Sequence, residues 1–283
     1  MLSLLVFVLG AVVGSFLNVC IHRLPREESI VSPPSHCPRC RTPVRPYDNV
    51  PLLSWLLLRG RCRACGGSIS PRYFAVELLT ACLFLGLFRF RADPVFLAVA
   101  LAFASSLVVV FFVDLEHQII PDEISLGGIG FGILASIACP ALHSSVAGTP
   151  LLGRFVAAAA ARLPLLPDAS ARALVSALLG IAVGGGLFWL IRLVSGMLYG
   201  EEAMGLGDVK LMAYFGALLG PVPVLLATFF ASLAGSVTGL LLIGARKADL
   251  KSRLPFGPFL CLGAFVAFLW GGRLIGWYLG MLR

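Results

Sequence analysis

Charge is scarce in this chain. Only 13% of its 283 residues are Asp, Glu, Lys or Arg, while 59% are hydrophobic and the mean hydropathy is +0.95. Soluble domains carry roughly twice that share of charge, so a water-soluble globular protein is excluded. Histidine is scarcer still: His22, His36, His117 and His143 have no serine or cysteine placed as a nucleophile partner, which argues against Ser/His and Cys/His chemistry. No internal repeat is evident and the apolar runs lack acids near their midpoints, which disfavours a proton-coupled transporter. The first apolar run, Leu2–Cys20, lacks a basic leader and an Ala-x-Ala cleavage site, so it reads as a membrane helix rather than a signal peptide.

What the chain has in abundance is runs long enough to span a bilayer. Eight are read: Leu2–Cys20, Phe74–Phe90, Val95–Val113, Ile124–Cys139, Ala173–Val194, Val209–Gly220, Val222–Ile243 and Phe256–Tyr278. The fourth and sixth are short, and Gly220-Pro221 makes the sixth and seventh a tight helical hairpin. The expected fold is therefore an all-α polytopic membrane protein of about eight transmembrane helices. The net charge of +8 is explained by position. Arg23, Arg26, Arg39, Arg41, Arg45, Arg59, Arg61, Arg63 and Arg72 lie between the first two runs; Arg246, Lys247, Lys251 and Arg253 lie between the last two. With eight spans both loops face one side, which the positive-inside rule makes cytoplasmic, with added attraction to anionic membrane lipid. Nucleic acid is not an expected partner. The organisation expected is a first helix at 1–20, a polar subdomain at 21–73 and a seven-helix membrane domain at 74–283. A second insert, Pro140–Ser170, carries Ala157–Ala161 as a short interfacial helix and no evident chemistry.

The 21–73 segment is too small for a good apolar core and needs another support. Cys37-Pro38-Arg39-Cys40 and Cys62-Arg63-Ala64-Cys65 supply it: two CxxC pairs about twenty residues apart suit one tetrahedral Zn²⁺. Cys37, Cys40, Cys62 and Cys65 leave no open coordination position, so the zinc would be structural. Gly66 suits the turn after the second pair. Cytoplasmic placement argues against disulfides. His36 is the alternative ligand, and Cys20, Cys82, Cys139 and Cys261 are read as packing residues.

Two aspartates sit where a membrane protein least tolerates them. Asp114 closes the third run, and Asp208 ends Gly205-Leu206-Gly207-Asp208 before the sixth. An ionisable group in the hydrocarbon costs roughly 2.5 kcal/mol or more, so it usually has a task. Asp114 stands at a helix C-terminus, where the macrodipole opposes a negative charge; Asp208 stands at an N-terminus, where capping is the competing explanation. The eight-span topology sets both at the cytoplasmic face at one depth, where they could share a proton and activate water. Gly205 and Gly207 would admit the backbone of an extended peptide. Asp122 reads as an N-cap, Glu116 and Glu123 as solvated or as attracting a basic substrate tail, and Glu77 either pairs with an arginine such as Arg72 or lines a site.

These segments, taken in order, resemble the bacterial prepilin peptidases, the leader peptidases of type IV pili and type II secretion. The matching stretches are Gly14-Ser15-Phe16-Leu17-Asn18-Val19, His22-Arg23-Leu24-Pro25, the CxxC pairs and Asn49-Val50-Pro51-Leu52-Leu53-Ser54-Trp55. Ile69-Ser70-Pro71-Arg72-Tyr73, Val76-Glu77-Leu78, Asp114–Asp122 and Gly205–Lys210 complete them. The resemblance implies an inner-membrane aspartyl endopeptidase of the GxGD type with Asp114 and Asp208 catalytic. It also implies prepilin and pseudopilin substrates cleaved after Gly of a basic leader, and N-methylation of the new terminus from S-adenosylmethionine. Because a closed four-thiolate site lies apart from the aspartates, the 21–73 subdomain is expected to serve methylation and substrate handling more than hydrolysis. No GxGxxG marks a site for the methyl donor. Ser125-Leu126-Gly127-Gly128 departs from the family, which often has proline there. The remaining alternative is a non-catalytic zinc-bearing scaffold of a secretion machine, which leaves both aspartates unexplained.

Overall fold

All eight apolar runs fold as helices. The computed structural model describes residues 1–144, 149–199, 204–245 and 254–281; the basic positions 246, 247, 251 and 253 lie outside these. The helices are α1 (Leu2–Arg23), α2 (Leu53–Leu57), α3 (Pro71–Phe90), α4 (Pro94–His117), α5 (Asp122–Ala138), α6 (Pro150–Ala160), α7 (Asp168–Tyr199), α8 (Leu206–Leu219), α9 (Pro221–Gly244) and α10 (Gly257–Met281). No strand occurs among the described residues, and the chain is a multi-pass, all-α membrane protein. The expected eight spans reduce to six helices of spanning length and apolarity among the described residues: α1, α3, α4, α7, α9 and α10. The runs at 124–139 and 209–220 form the shorter α5 and α8, of 17 and 14 residues. At 1.5 Å per residue α8 reaches only about 21 Å, against a hydrocarbon core of about 30 Å.

The chain divides into two compact units, residues 1–113 and 114–283. In the first, α1 packs along α3. Gly10 and Gly14 make this crossing close, because a Cβ on either would fall 2.7 Å from the Cα of Ala81 or Glu77. Small residues four apart allow such approach in membranes, where packing rather than hydrophobicity drives association. Residues 24–70 follow as a largely irregular segment with the short helix α2. The buried Arg23 anchors its start by donating to the carbonyls of Ser29 and Pro33 at 2.8 and 2.6 Å.

In the second unit α8 is central. Every residue from Leu211 to Leu219 is buried, and α5, α7, α9 and α10 all contact it. A helix that is apolar all round is stable only in such a setting. Gly220, with φ +85°, ends α8, and Pro221 opens α9, so the expected hairpin forms. Gly128 of α5 lets this helix approach α8 closely, since a Cβ there would fall 2.5 Å from the Tyr214 ring. The second insert forms a turn at Pro140–His143 and then α6, which rests on α7 through Val156 and Ala160.

Candidate active site and metal centre

Asp114 lies in the last turn of α4 and is buried, 6% exposed. Its Oδ2 accepts a 2.9 Å hydrogen bond from the backbone N–H of Gly257, the first residue of α10. Asp208 is half-buried in the first turn of α8. The two carboxylates are close enough for the charge of Asp114 to act on Asp208, and Cys261 of α10 lies within reach of both. The pair expected from the sequence is therefore assembled in one unit.

The capping explanation for Asp208 changes in detail. Gly205 is the N-cap of α8, and Asp208, three residues on, bonds back to its backbone N–H. That is the reach-back half of a capping box, and it fixes the side chain at the helix mouth. The room at the glycines is also differently used. A Cβ on Gly207 would sit 3.1 Å from Cβ of Ile120, so this glycine admits the chain's own 118–121 link rather than standing open. Asp122 is not the N-cap of α5; Pro121 holds that place, and Asp122 takes both carboxylate oxygens to Lys210 Nζ at 2.8 Å. This ion pair ties the mouths of α5 and α8 together beside Asp208.

A cavity of about 330 Å³ opens between α9 and the start of α10, lined by Ser232, Gly235, Ser236, Leu254, Phe256 and Phe259. Phe256 immediately precedes the glycine that holds Asp114.

In the first unit, the ligand atoms of Cys37, Cys40, Cys62 and Cys65 lie within 4.8 Å of one another. Cys37 and Cys65 are 3.9 Å apart, sulfur to sulfur. Zn–S bonds of about 2.3 Å give tetrahedral S···S edges of about 3.8 Å, so the four thiols fit one zinc ion. Two similar knuckles present them. Cys37 N–H donates to Thr42 O and Arg41 N–H to Cys37 O; Cys62 N–H donates to Gly67 O and Gly66 N–H to Cys62 O. Arg41 and Gly66 occupy the same left-handed position, at φ +57° and +67°. The turn expected at Gly66 is thus present. His36 stands outside the cluster, its Nδ1 3.2 Å from the Pro34 carbonyl. Asp48 and Arg63 pair at 2.7 Å, which holds the second knuckle against the 46–48 turn.

Glu77 has a partner that neither expectation named. It is buried, and its Oε2 accepts from the backbone N–H of Leu52 at 2.7 Å, fastening the 21–73 segment to α3. Sequence reasoning missed the Gly257, Lys210 and Leu52 partners. Two are backbone N–H groups and the third is a pair 88 residues apart.

Comparison with known proteins accords with this arrangement. The model of the type IV leader peptidase family matches residues 101–240, and that of the bacterial peptidase A24 N-terminal domain matches 8–90. The chain is 36% identical to a prepilin leader peptidase/N-methyltransferase of Aeromonas hydrophila over 97% of its length and 93% of the relative's. The chain belongs to the type IV leader peptidase family. A relative with the same name from Pseudomonas aeruginosa is 32% identical over 96% of the chain and 91% of its own length. One from Myxococcus xanthus is 40% identical over 85% and 63%. No solved structure matches. Within this leader peptidase family match, residues 101–240 carry both aspartates, and residues 8–90 carry all four clustered cysteines.

Proposed function

We propose that this chain is a membrane aspartyl endopeptidase that removes the basic leader, after Gly, from type IV prepilins and pseudopilins, and then methylates the new N-terminus with S-adenosylmethionine. The observation that carries the reading is the approach of Asp114 and Asp208, two acids that an apolar helix bundle would not otherwise bring together. One carboxylate takes a proton from a water whose oxygen attacks the scissile carbonyl carbon. The other carboxyl gives its proton to the peptide nitrogen as the C–N bond breaks, and no covalent enzyme intermediate forms. Asp208, tied back to Gly205, and Asp114, tied to Gly257, keep fixed positions during these transfers.

Residues 1–20 would form the first membrane helix, 21–73 the zinc subdomain serving methylation, and 74–283 the peptidase domain. Cys37, Cys40, Cys62 and Cys65 would hold one structural Zn²⁺, which braces a segment with little core of its own. S-adenosylmethionine would supply the methyl group to the amine that cleavage exposes. The arginines between α1 and α3 support placing this segment and both aspartates at the cytoplasmic face of the bacterial inner membrane. A basic leader and an apolar helix would then meet the catalytic pair at the lipid boundary.

The test is mass spectrometry of a prepilin incubated with the purified protein, with and without S-adenosylmethionine. Asp114→Asn and Asp208→Asn should each slow cleavage at least about 10²-fold. Full cleavage by either variant would refute the assignment.

A further inference from the structure

The N-terminus of α10 has a complete account of its backbone donors. A helix leaves its first N–H groups without partners inside the helix. Here Phe259 and Leu260 donate to the Phe256 carbonyl at 3.0 and 3.1 Å, and Pro258 has no N–H. The remaining donor, Gly257, goes to Asp114 Oδ2, 143 residues away in sequence. The same glycine is crowded by that carboxylate. A Cβ built on it would lie 2.7 Å from Oδ2, 2.9 Å from Cγ and 3.1 Å from Cβ of Asp114. These contacts are all with the Asp114 side chain: the carboxylate can rotate away, while its Cβ, fixed to the α4 backbone, need give only a few tenths of an ångström, so an added methyl group would chiefly displace the carboxylate.

We propose that Gly257 is the positioning residue for Asp114: its N–H holds Oδ2, and its missing side chain is the space in which the carboxylate turns toward Asp208. The proposal rests on the peptidase reading above and adds a residue outside the two acids. The position is set from α10, so cleavage depends on a helix that contributes no carboxylate of its own. A misplacement of about 1 Å at a reacting group costs about 10²-fold in rate.

Gly257→Ala tests the proposal in the full-length protein, with a pilin-like precursor bearing a basic leader that ends in Gly. Three quantities are read: kcat and KM for cleavage, methyl transfer to a pre-cleaved pilin, and the melting temperature. The expected result is a kcat lower by about 10²-fold, with KM within about twofold, methyl transfer unchanged and melting lowered by no more than the loss of one buried hydrogen bond. Should Gly257→Ala fail to fold, replacing Gly257 with glycolic acid converts its N–H to an ester oxygen and adds no bulk. That variant should lose roughly 10- to 100-fold in kcat, the range for a hydrogen bond to a charged group. Unchanged kcat in Gly257→Ala, or in the ester variant, overturns the proposal. So does a loss of kcat matched by equal losses in methyl transfer and melting, which would mark a purely structural role. A wild-type protein that cleaves no precursor would instead overturn the peptidase reading itself.

Discussion

The seat of Asp208 depends on how closely α7 and α8 cross, and Gly180→Ala tests that closeness. A Cβ on Gly180 would lie 2.0 Å from the carbonyl oxygen of Gly216 and 2.7 Å from its carbon; in the other direction, a Cβ on Gly216 would lie 2.0 Å from the Gly180 oxygen. Comfortable carbon-to-oxygen contacts start at about 3.3 Å, so the helices must part by more than about 1 Å. Both obstacles are backbone and neither can rotate away. Nor can α8 retreat, because α5, α9 and α10 also contact it. Overpacking of this kind costs about 1–3 kcal/mol in side-chain cases, and backbone against backbone sits at or above the upper end. Gly186 is the control on the same helix, since a Cβ there meets nothing within 4 Å. Gly186→Ala should gain up to about 1 kcal/mol from helix propensity alone. Thermal melts in detergent should therefore move in opposite directions, down for Gly180→Ala and level or up for Gly186→Ala. Prepilin cleavage should fall only in the former. Wild-type melting and cleavage in Gly180→Ala would show that the crossing is looser than this and that α8 is not held by it.

Removing the metal by chelation, or by Cys37→Ser with Cys62→Ser, should release one zinc per chain by elemental mass spectrometry and abolish methyl transfer while cleavage persists; loss of cleavage in a folded double variant would refute the division of labour. In metal-free protein, acid should act on Cys40 below the ordinary thiol range. The hydroxyl and backbone N–H of Thr42 pull its pKa down to about 6, well below the ordinary thiol value, so its thiolate survives to lower pH in the folded chain. A depressed pKa adds stability to the folded form above the unfolded value, and that contribution is lost as pH falls through about 6. Iodoacetamide labelling of Cys40 in metal-free protein should show a midpoint near 6, and Thr42→Val should move it upward; a midpoint near 9 would contradict the bond. Glu77→Leu leaves the Leu52 N–H without its acceptor and should cost about 1–3 kcal/mol, whereas Glu77→Gln keeps an acceptor and should cost less. Melting of the two variants compares them, and equal loss would mean that the charge, not the hydrogen bond, fastens the subdomain.

The features legible in the sequence were those set by local spacing or by conflict with the surrounding medium. Cys37, Cys40, Cys62 and Cys65 declare themselves because each knuckle closes within six residues, Cys37 to Thr42 and Cys62 to Gly67. Asp114 and Asp208 stand out because an acid next to a long apolar run is expensive. Long-range partners left no such mark. Asp122 reads as a cap until Lys210, 88 residues on, takes its charge. Glu77 reads as an arginine partner or a site residue, and its backbone donor, the Leu52 N–H, has no letter in the sequence. Helix length misled for a related reason: α8 looks like a span by its apolar letters, yet those letters face neighbouring helices on every side.

The most concealed of these partners is also the one with two tasks. Asp114 satisfies the open N–H at the start of α10 and supplies half of the proposed catalytic pair, so an inactive Asp114 variant is ambiguous by itself. Asparagine and alanine separate the tasks. Asp114→Asn retains a side-chain oxygen that can accept from Gly257, so its fold should hold while cleavage falls. Asp114→Ala leaves a buried N–H unmatched at a cost of about 1–3 kcal/mol, so it should lose stability as well as cleavage. If both variants melt alike, the bond to Gly257 contributes nothing to the fold, and its importance must lie wholly in how it aims the carboxylate.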